Sequence, residues 1–472
     1  MILTSVLCAG AMASRAQETN EVEQLKRQLE QMRRSFEETQ REQRQQIEAL
    51  TKKLDELTAK QQAAAILTSA PPATAAAPEQ STGPEWANRL AEKVDQVVEA
   101  QKKVLPSEFN PAIGFVGETV FGYRSRGSDQ TGSDRPGGFD VFQRSMELNI
   151  AASVDPFAKG YAVINGTADS ATGEATLGFE EAALQTTSLP WNLELKGGRF
   201  FGEFGRLGYI HDHELPFVNR PLVLDRYIGG ESRTDGLQLN WLLPTAHYIS
   251  LTAGLGDQFG ADSPNPNNPG TTRHFSGVNY FGRLSTYFDL TPNWQLEAGI
   301  SGLINPSTVD RGGAITNSGT TLTEKERRLA GFDLKVSYVP LQNNQFRSFT
   351  WGTEVLYSDN RYRFDPDGIA DNGDESFGNV GSLGLYSYVT YKWHRQWSAG
   401  FLFDWVQDAG NRSDQTYAYS PYITWALSHW NQLRLQYTHT AHDAVSGQRP
   451  DDALYLQWAW IVGSHSHGWQ QR

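Results

Sequence analysis

The chain has 472 residues, 20% of them charged, with a formal net charge of −13 at pH 7. That length suits a large barrel or two to three domains, and its acidic balance speaks against nucleic acid as a partner. The single cysteine, Cys8, excludes disulfide frameworks and thiolate metal sites, and no run of 18 apolar residues offers a membrane-crossing helix.

Residues 1–16, MILTSVLCAGAMASRA, are apolar and end in small residues, with Ser14 and Ala16 placed like positions −3 and −1 of a signal-peptidase site. A Sec signal peptide is expected. Residues 20–62 then carry Val22, Leu25, Leu29, Met32 and Phe36 at coiled-coil spacing. The seam resumes at Ile47, Leu50, Leu54 and Leu57 after a stutter, which predicts a self-associating coiled coil. Residues 63–84, rich in Ala, Pro, Thr and Ser, read as a linker, and 85–105 as a short amphipathic helix bearing Trp86, Leu90, Val94, Val97 and Val104.

Residues 107–472 change period, and from Phe109 onward apolar residues fall at every second position. MELNI sets Met146, Leu148 and Ile150 against Glu147 and Asn149; LQLNW sets Leu237, Leu239 and Trp241 against Gln238 and Asn240. Connections alternate between tight (DPFAKG, SLPWN, LLPTAH, KWHRQ) and long (the 201–235 segment, 257–277, 305–326, 358–379). Short turns on one side and long polar loops on the other are the pattern of an outer-membrane barrel. Counting between turns predicts an all-β transmembrane barrel of about 16 antiparallel strands, preceded by the helical coil. Both barrel ends fall on the short-turn, periplasmic side, which places the coil in the periplasm. Tryptophans near strand ends (Trp241, Trp294, Trp397, Trp425) suit interfacial girdles.

FNPAIG at the start of the barrel, LELKGGRFFGEFGRL followed by HDHELPFVNRPLVL, and the closing GSHSHGW carry a family resemblance. On these motifs the 109–472 region resembles bacterial zinc-regulated outer-membrane receptors. More loosely it is similar to siderophore porins and phosphate-selective porins with an N-terminal coiled coil. The resemblance implies an outer-membrane channel or receptor. Two features depart from it: Trp469 is followed by Gln-Gln-Arg where the family ends on an aromatic residue, and no plug precedes the first strand. An open or loop-gated pore is therefore expected.

The 201–235 segment is the third long connection and resembles the loop that folds into sixteen-stranded porins and sets their constriction. Leu215, Pro216, Phe217, Val218, Leu222, Val223 and Leu224 suit packing on an inner wall, with Arg206, Glu214, Arg220, Asp225 and Arg226 facing the opening. His211, Asp212, His213 and Glu214 are zinc-type ligands, although a structural role for the histidines competes with metal contact. His439 and His442 form a second candidate metal pair; His465 and His467 read as part of barrel closure.

Expected lumen-facing positions are Glu147, Glu194, Lys196, Glu297, Asp333, Lys335, Asp404 and Arg434. Of 41 basic and 54 acidic residues, the first 106 positions hold 14 and 15, leaving 27 and 39 for the rest, a balance of −12. That balance predicts a preference for cations, metal or metal chelates over phosphate. Expected partners are outer-membrane lipid, small solutes or metal ions, a second copy through the coil, and peptidoglycan. No cofactor is expected beyond a zinc contact. A zinc or siderophore receptor and a structural tether are the alternative readings. An enzyme is not expected, since His394 and Ser398 lie at a short turn without a nucleophile motif.

Overall fold

The computed structural model describes residues 111–463 apart from 127–136, 169–173, 261–276, 307–310, 316–320, 343, 345, 368–372, 429 and 444–448. The signal peptide, coiled coil, linker and short helix lie outside the described residues, as do His465 and His467.

Strand alternation produces one antiparallel sheet that closes on itself. Its first half comprises β1 (Ala112–Arg124), β2 (Gly138–Asp155), β3 (Ala158–Ala168), β4 (Ala175–Thr186), β5 (Leu193–Phe201), β6 (Arg233–Leu242), β7 (Tyr248–Gly256) and β8 (Asn279–Thr291). The second half comprises β9 (Trp294–Asn305), β10 (Arg311–Ile315), β11 (Thr321–Tyr338), β12 (Ser348–Asp365), β13 (Ser376–Lys392), β14 (Trp397–Gln407), β15 (Gln415–Ser428), β16 (Asn431–His442) and β17 (Asp451–Gly463). β1 closes against β17, with Gly117 opposite Trp460 and Phe121 opposite Leu456. β9 and β10 are two pieces of one stave: β9 pairs with Arg327–Tyr338 of β11, and β10 with Thr321–Glu324. The barrel thus has sixteen staves, the expected number.

Two stretches read as long loops turn out to be largely strand. β11 and β12 stay paired up to Thr321 and Asp365, and β12 pairs with β13 out to Phe364 and Ser376. Cross-strand pairing there satisfies backbone groups that a loop must leave to water or side chains, so Asp359, Asn360, Gly378 and Asn379 sit within strands although their residue types read as loop.

The faces are inverted relative to a protein dissolved in water. On β6, Leu237, Leu239 and Trp241 are 50%, 41% and 37% exposed, while Gln238 and Asn240 between them are 0% and 2% exposed. With an apolar exterior and every stave paired, the barrel suits a lipid surround that cannot hydrogen-bond to backbone. Near the short turns, directly paired aromatics line the exterior: Trp294 lies 5.0 Å from Tyr338, and Trp397 stacks on Trp425 at 5.7 Å.

The 201–235 segment occupies the interior. Phe204, Leu207, Leu215, Phe217, Val223, Leu224, Tyr227 and Ile228 are buried in one cluster with wall residues such as Tyr161, Leu303, Leu356, Tyr388, Leu402 and Tyr422. The segment contains a 3-10 turn over Asp212–Glu214 and one short α-helix, α1 (Leu222–Ile228), begun after Pro221 and ended by Gly229 in the left-handed conformation (φ 77°).

Candidate functional site

The loop is seated on two groups of wall residues, one on β9 and β12 and the other on β14, β15 and β16. At one end Gly205, at φ 63°, donates its N–H to Ser301 Oγ at 2.9 Å and abuts Glu354 so closely that a Cβ would collide with the carboxylate. Arg206 donates from its backbone to Glu354 Oε2 at 3.1 Å and from its side chain to Glu297 Oε2 at 2.7 Å; Lys335 reaches the other Glu297 oxygen at 2.8 Å. Toward the other end, Val218 N–H donates to Gln436 Oε1 at 2.7 Å, Arg434 donates to the Phe217 carbonyl at 3.1 Å, and Leu222 N–H donates to Asp404 Oδ1 at 3.1 Å. Arg226 donates to Thr416 Oγ1 at 2.7 Å. Within the loop, Arg220 binds the Leu207 and Ile210 carbonyls, both at 2.6 Å, and pairs with Asp212 and Glu231.

Between these anchors His211 and His213 meet a group of wall carboxylates. His213 Nδ1 lies 3.0 Å from Glu147 Oε1, and His211 Nδ1 lies 3.7 Å from the same oxygen and 3.5 Å from Glu180 Oε2. His211 Nε2 lies 3.4 Å from Glu181 Oε1. Adjacent residues of a strand normally face opposite sides, yet Glu180 and Glu181 are both buried. The cause is a register shift between β3 and β4: Val163 pairs with Glu181 and Ile164 with Phe179, which leaves Glu180 as an inserted residue. A second shift, between β1 and β2, makes Arg144 the extra residue, and it turns inward to bind Glu118 and the Val218 carbonyl. Both bulges re-aim a charged side chain at the loop. Burial disfavours a charged His211, but Glu147 and Glu180 outweigh it and hold its pKa well above the usual histidine range. His213 is raised in the same way by Glu147 against burial.

Two chambers with no lining residue in common lie beside the loop. One, of about 520 Å³ and toward the short turns, is lined by Glu203, Arg206, Arg283, Glu297 and Lys335 among others. The second, of about 590 Å³ and toward the long connections, carries Arg124, Arg144, Asp212, Arg220, Asp225, Arg226, Asp404 and Asp451.

The structure places the expected lumen positions opposite the apolar face and engages them with partners, with Glu297 and Lys335 also lining the short-turn chamber. Asp333 is bridged by Arg283 at 2.6 and 2.8 Å, Asp404 and Arg434 hold the loop backbone, Glu194 accepts from Gln185, and Lys196 lies 4.9 Å over the Phe200 ring. Arg220, expected to face the opening, is buried with its donors directed into the loop. His439 and His442 do not converge. Three positions apart on β16, they take opposite faces; His439 Nδ1 lies 2.8 Å from Asp452 Oδ1 and His442 Nδ1 lies 3.1 Å from Thr416 Oγ1. Sequence reasoning did not single out Glu118, Arg144, Glu180, Glu181, Glu231 or Arg283; for Glu180 and Glu181 a cue was the adjacent pair in GFEEAAL, which breaks the period of two.

No protein-family model matches the chain. A protein of Aquifex aeolicus (strain VF5), described as uncharacterized, is 26% identical over 345 residues, 68% of each chain. Among solved structures, the outer membrane channel DcaP of Acinetobacter baumannii is similar with a TM-score of 0.51 and 12% identity, over 75% of this chain and 97% of that one. Pseudomonas putida OprB is similar with a TM-score of 0.51 and 11% identity, over 80% of this chain and 97% of that one. The likeness is one of fold: this barrel is of the outer-membrane porin type.

Proposed function

We propose that the chain is a loop-gated outer-membrane channel for small polar solutes, in which residues 201–235 set the passage. The observation that carries the reading is the seating of that loop across the interior, with a polar chamber toward each end of the barrel. The chambers hold nearly balanced charge: three basic groups against two carboxylates in the first, four against four in the second. In this reading the near balance in the chambers gives a weak charge preference, less than the preference for cations expected from composition. In this reading the short turns face the periplasm, and the coiled coil there joins copies of the chain or meets peptidoglycan.

Planar-bilayer recording of the purified full chain under a KCl gradient tests the proposal. The expected result is discrete conductance steps with a reversal potential close to zero. Absence of conductance from a folded, inserted barrel overturns it.

A further inference from the structure

We propose that Glu147, His211 and His213, with Glu180 as a fourth ligand, form a binding site for a divalent transition-metal ion of the zinc type, which clamps the loop to the barrel wall. The inference goes beyond the channel reading and does not depend on it.

One donor atom from each of Glu147, His211 and His213 lies within 4.8 Å of the others, all three residues are buried, and Glu180, His211 and Glu231 form an overlapping group. A tetrahedral zinc site with bonds of roughly 2.0–2.2 Å has ligand-to-ligand edges of about 3.3 Å. The separations are 3.0 Å for His213 to Glu147, 3.7 Å for His211 to Glu147 and 3.5 Å for His211 to Glu180, all near that edge, and an ion held by Glu147, His211 and His213 would need Glu180 to move in to complete the set. Two imidazoles and carboxylate oxygens make a donor set suited to zinc.

The ligands are also oriented from behind, as metal ligands are. Ser145 Oγ donates to Glu147 Oε1 at 2.7 Å, Asn165 Nδ2 donates to Glu180 Oε2 at 3.2 Å, and the His211 ring packs on Phe201 at 4.5 Å. The bulge on β4 brings Glu180 and Glu181 to the same histidine, where an unbulged strand would present one of them. His213 borders a cavity of about 260 Å³ whose lining also includes Trp430 and Asn431 near the short turns.

The test is metal content of the full chain in detergent, stripped with chelator and dialysed against Zn(II), with Co(II) as a spectroscopic substitute. One zinc per chain is expected, together with the visible absorption of four-coordinate Co(II). Ser145→Ala, which leaves every ligand in place, should weaken binding by about 10–100-fold, and His211→Ala with His213→Ala should abolish it. Heat-modifiable migration on gels checks that each variant is folded. Substoichiometric zinc in the folded parent, or binding undiminished in the folded double variant, overturns the proposal. Because metal content is read without conductance, a barrel that conducts but binds no zinc refutes this site alone; one that binds zinc but never conducts refutes the channel reading alone.

Discussion

Replacing Phe217 by alanine should unseat the far end of the loop. Phe217 is fully buried, and its ring meets Tyr388 and Tyr422 edge-on at 5.5 and 6.1 Å. The unseated loop enters an aqueous lumen, so water is the right reference phase. Exposing an aromatic side chain of about 150–250 Å² costs about 4–6 kcal/mol at about 25 cal/mol per Å². Measured Phe→Ala changes in packed interiors are about 3–5 kcal/mol, and that range is adopted. At about 1.4 kcal/mol per factor of ten, the unseated population should rise roughly 100-fold to 4000-fold. Single-channel recording reads this as a gain in dwell time at a larger conductance level. Unchanged dwell times in a variant that migrates as a folded barrel would refute the argument that Phe217 holds the loop closed.

Three further outcomes are expected. Gly205→Ala places a Cβ at a left-handed φ and against Glu354, costs the seated loop about 1–3 kcal/mol, and should expose it to trypsin at Arg206; unchanged resistance to cleavage counts against this anchor. Arg220→Met leaves Asp212, Glu231 and two loop carbonyls without their guanidinium, a loss of about 3–5 kcal/mol. Refolding into detergent should give less heat-modifiable protein, and a parental yield contradicts the reading of Arg220 as the loop's internal brace. Arg206→Ala removes a positive group from the short-turn chamber and leaves Glu297 to Lys335. The reversal potential in a KCl gradient should move toward potassium, and no movement means that this chamber is off the ion path.

The barrel was legible because lipid imposes a strict rule: every second side chain of Leu237–Trp241 or Leu454–Trp460 must be apolar, and the chain obeys. The inward-packing character of 201–235 was legible for a related reason, since Leu215, Phe217 and Val223 are too apolar for a solvated tip. What alternation could not show is where it fails. The inserted residues Arg144 and Glu180 are defined by the partner strand's register, which no single segment records. Nor could composition show that charges on the wall are matched by Arg206, Arg283 and the loop backbone, because each pairing joins residues far apart in sequence.

That separation bears on how the molecule is made. The loop is synthesised after five of sixteen staves, yet its hydrogen bonds reach Gln436 and Arg434, more than two hundred residues later. Until β16 arrives, Leu215, Phe217, Val223 and Leu224 have no complete wall to cover them, and pairings this distant are slow to form because the intervening chain must first be ordered. Closing the cylinder and lodging the loop therefore belong to a single late event. In the interval the half-built chain carries a sticky apolar segment that must be shielded from its neighbours.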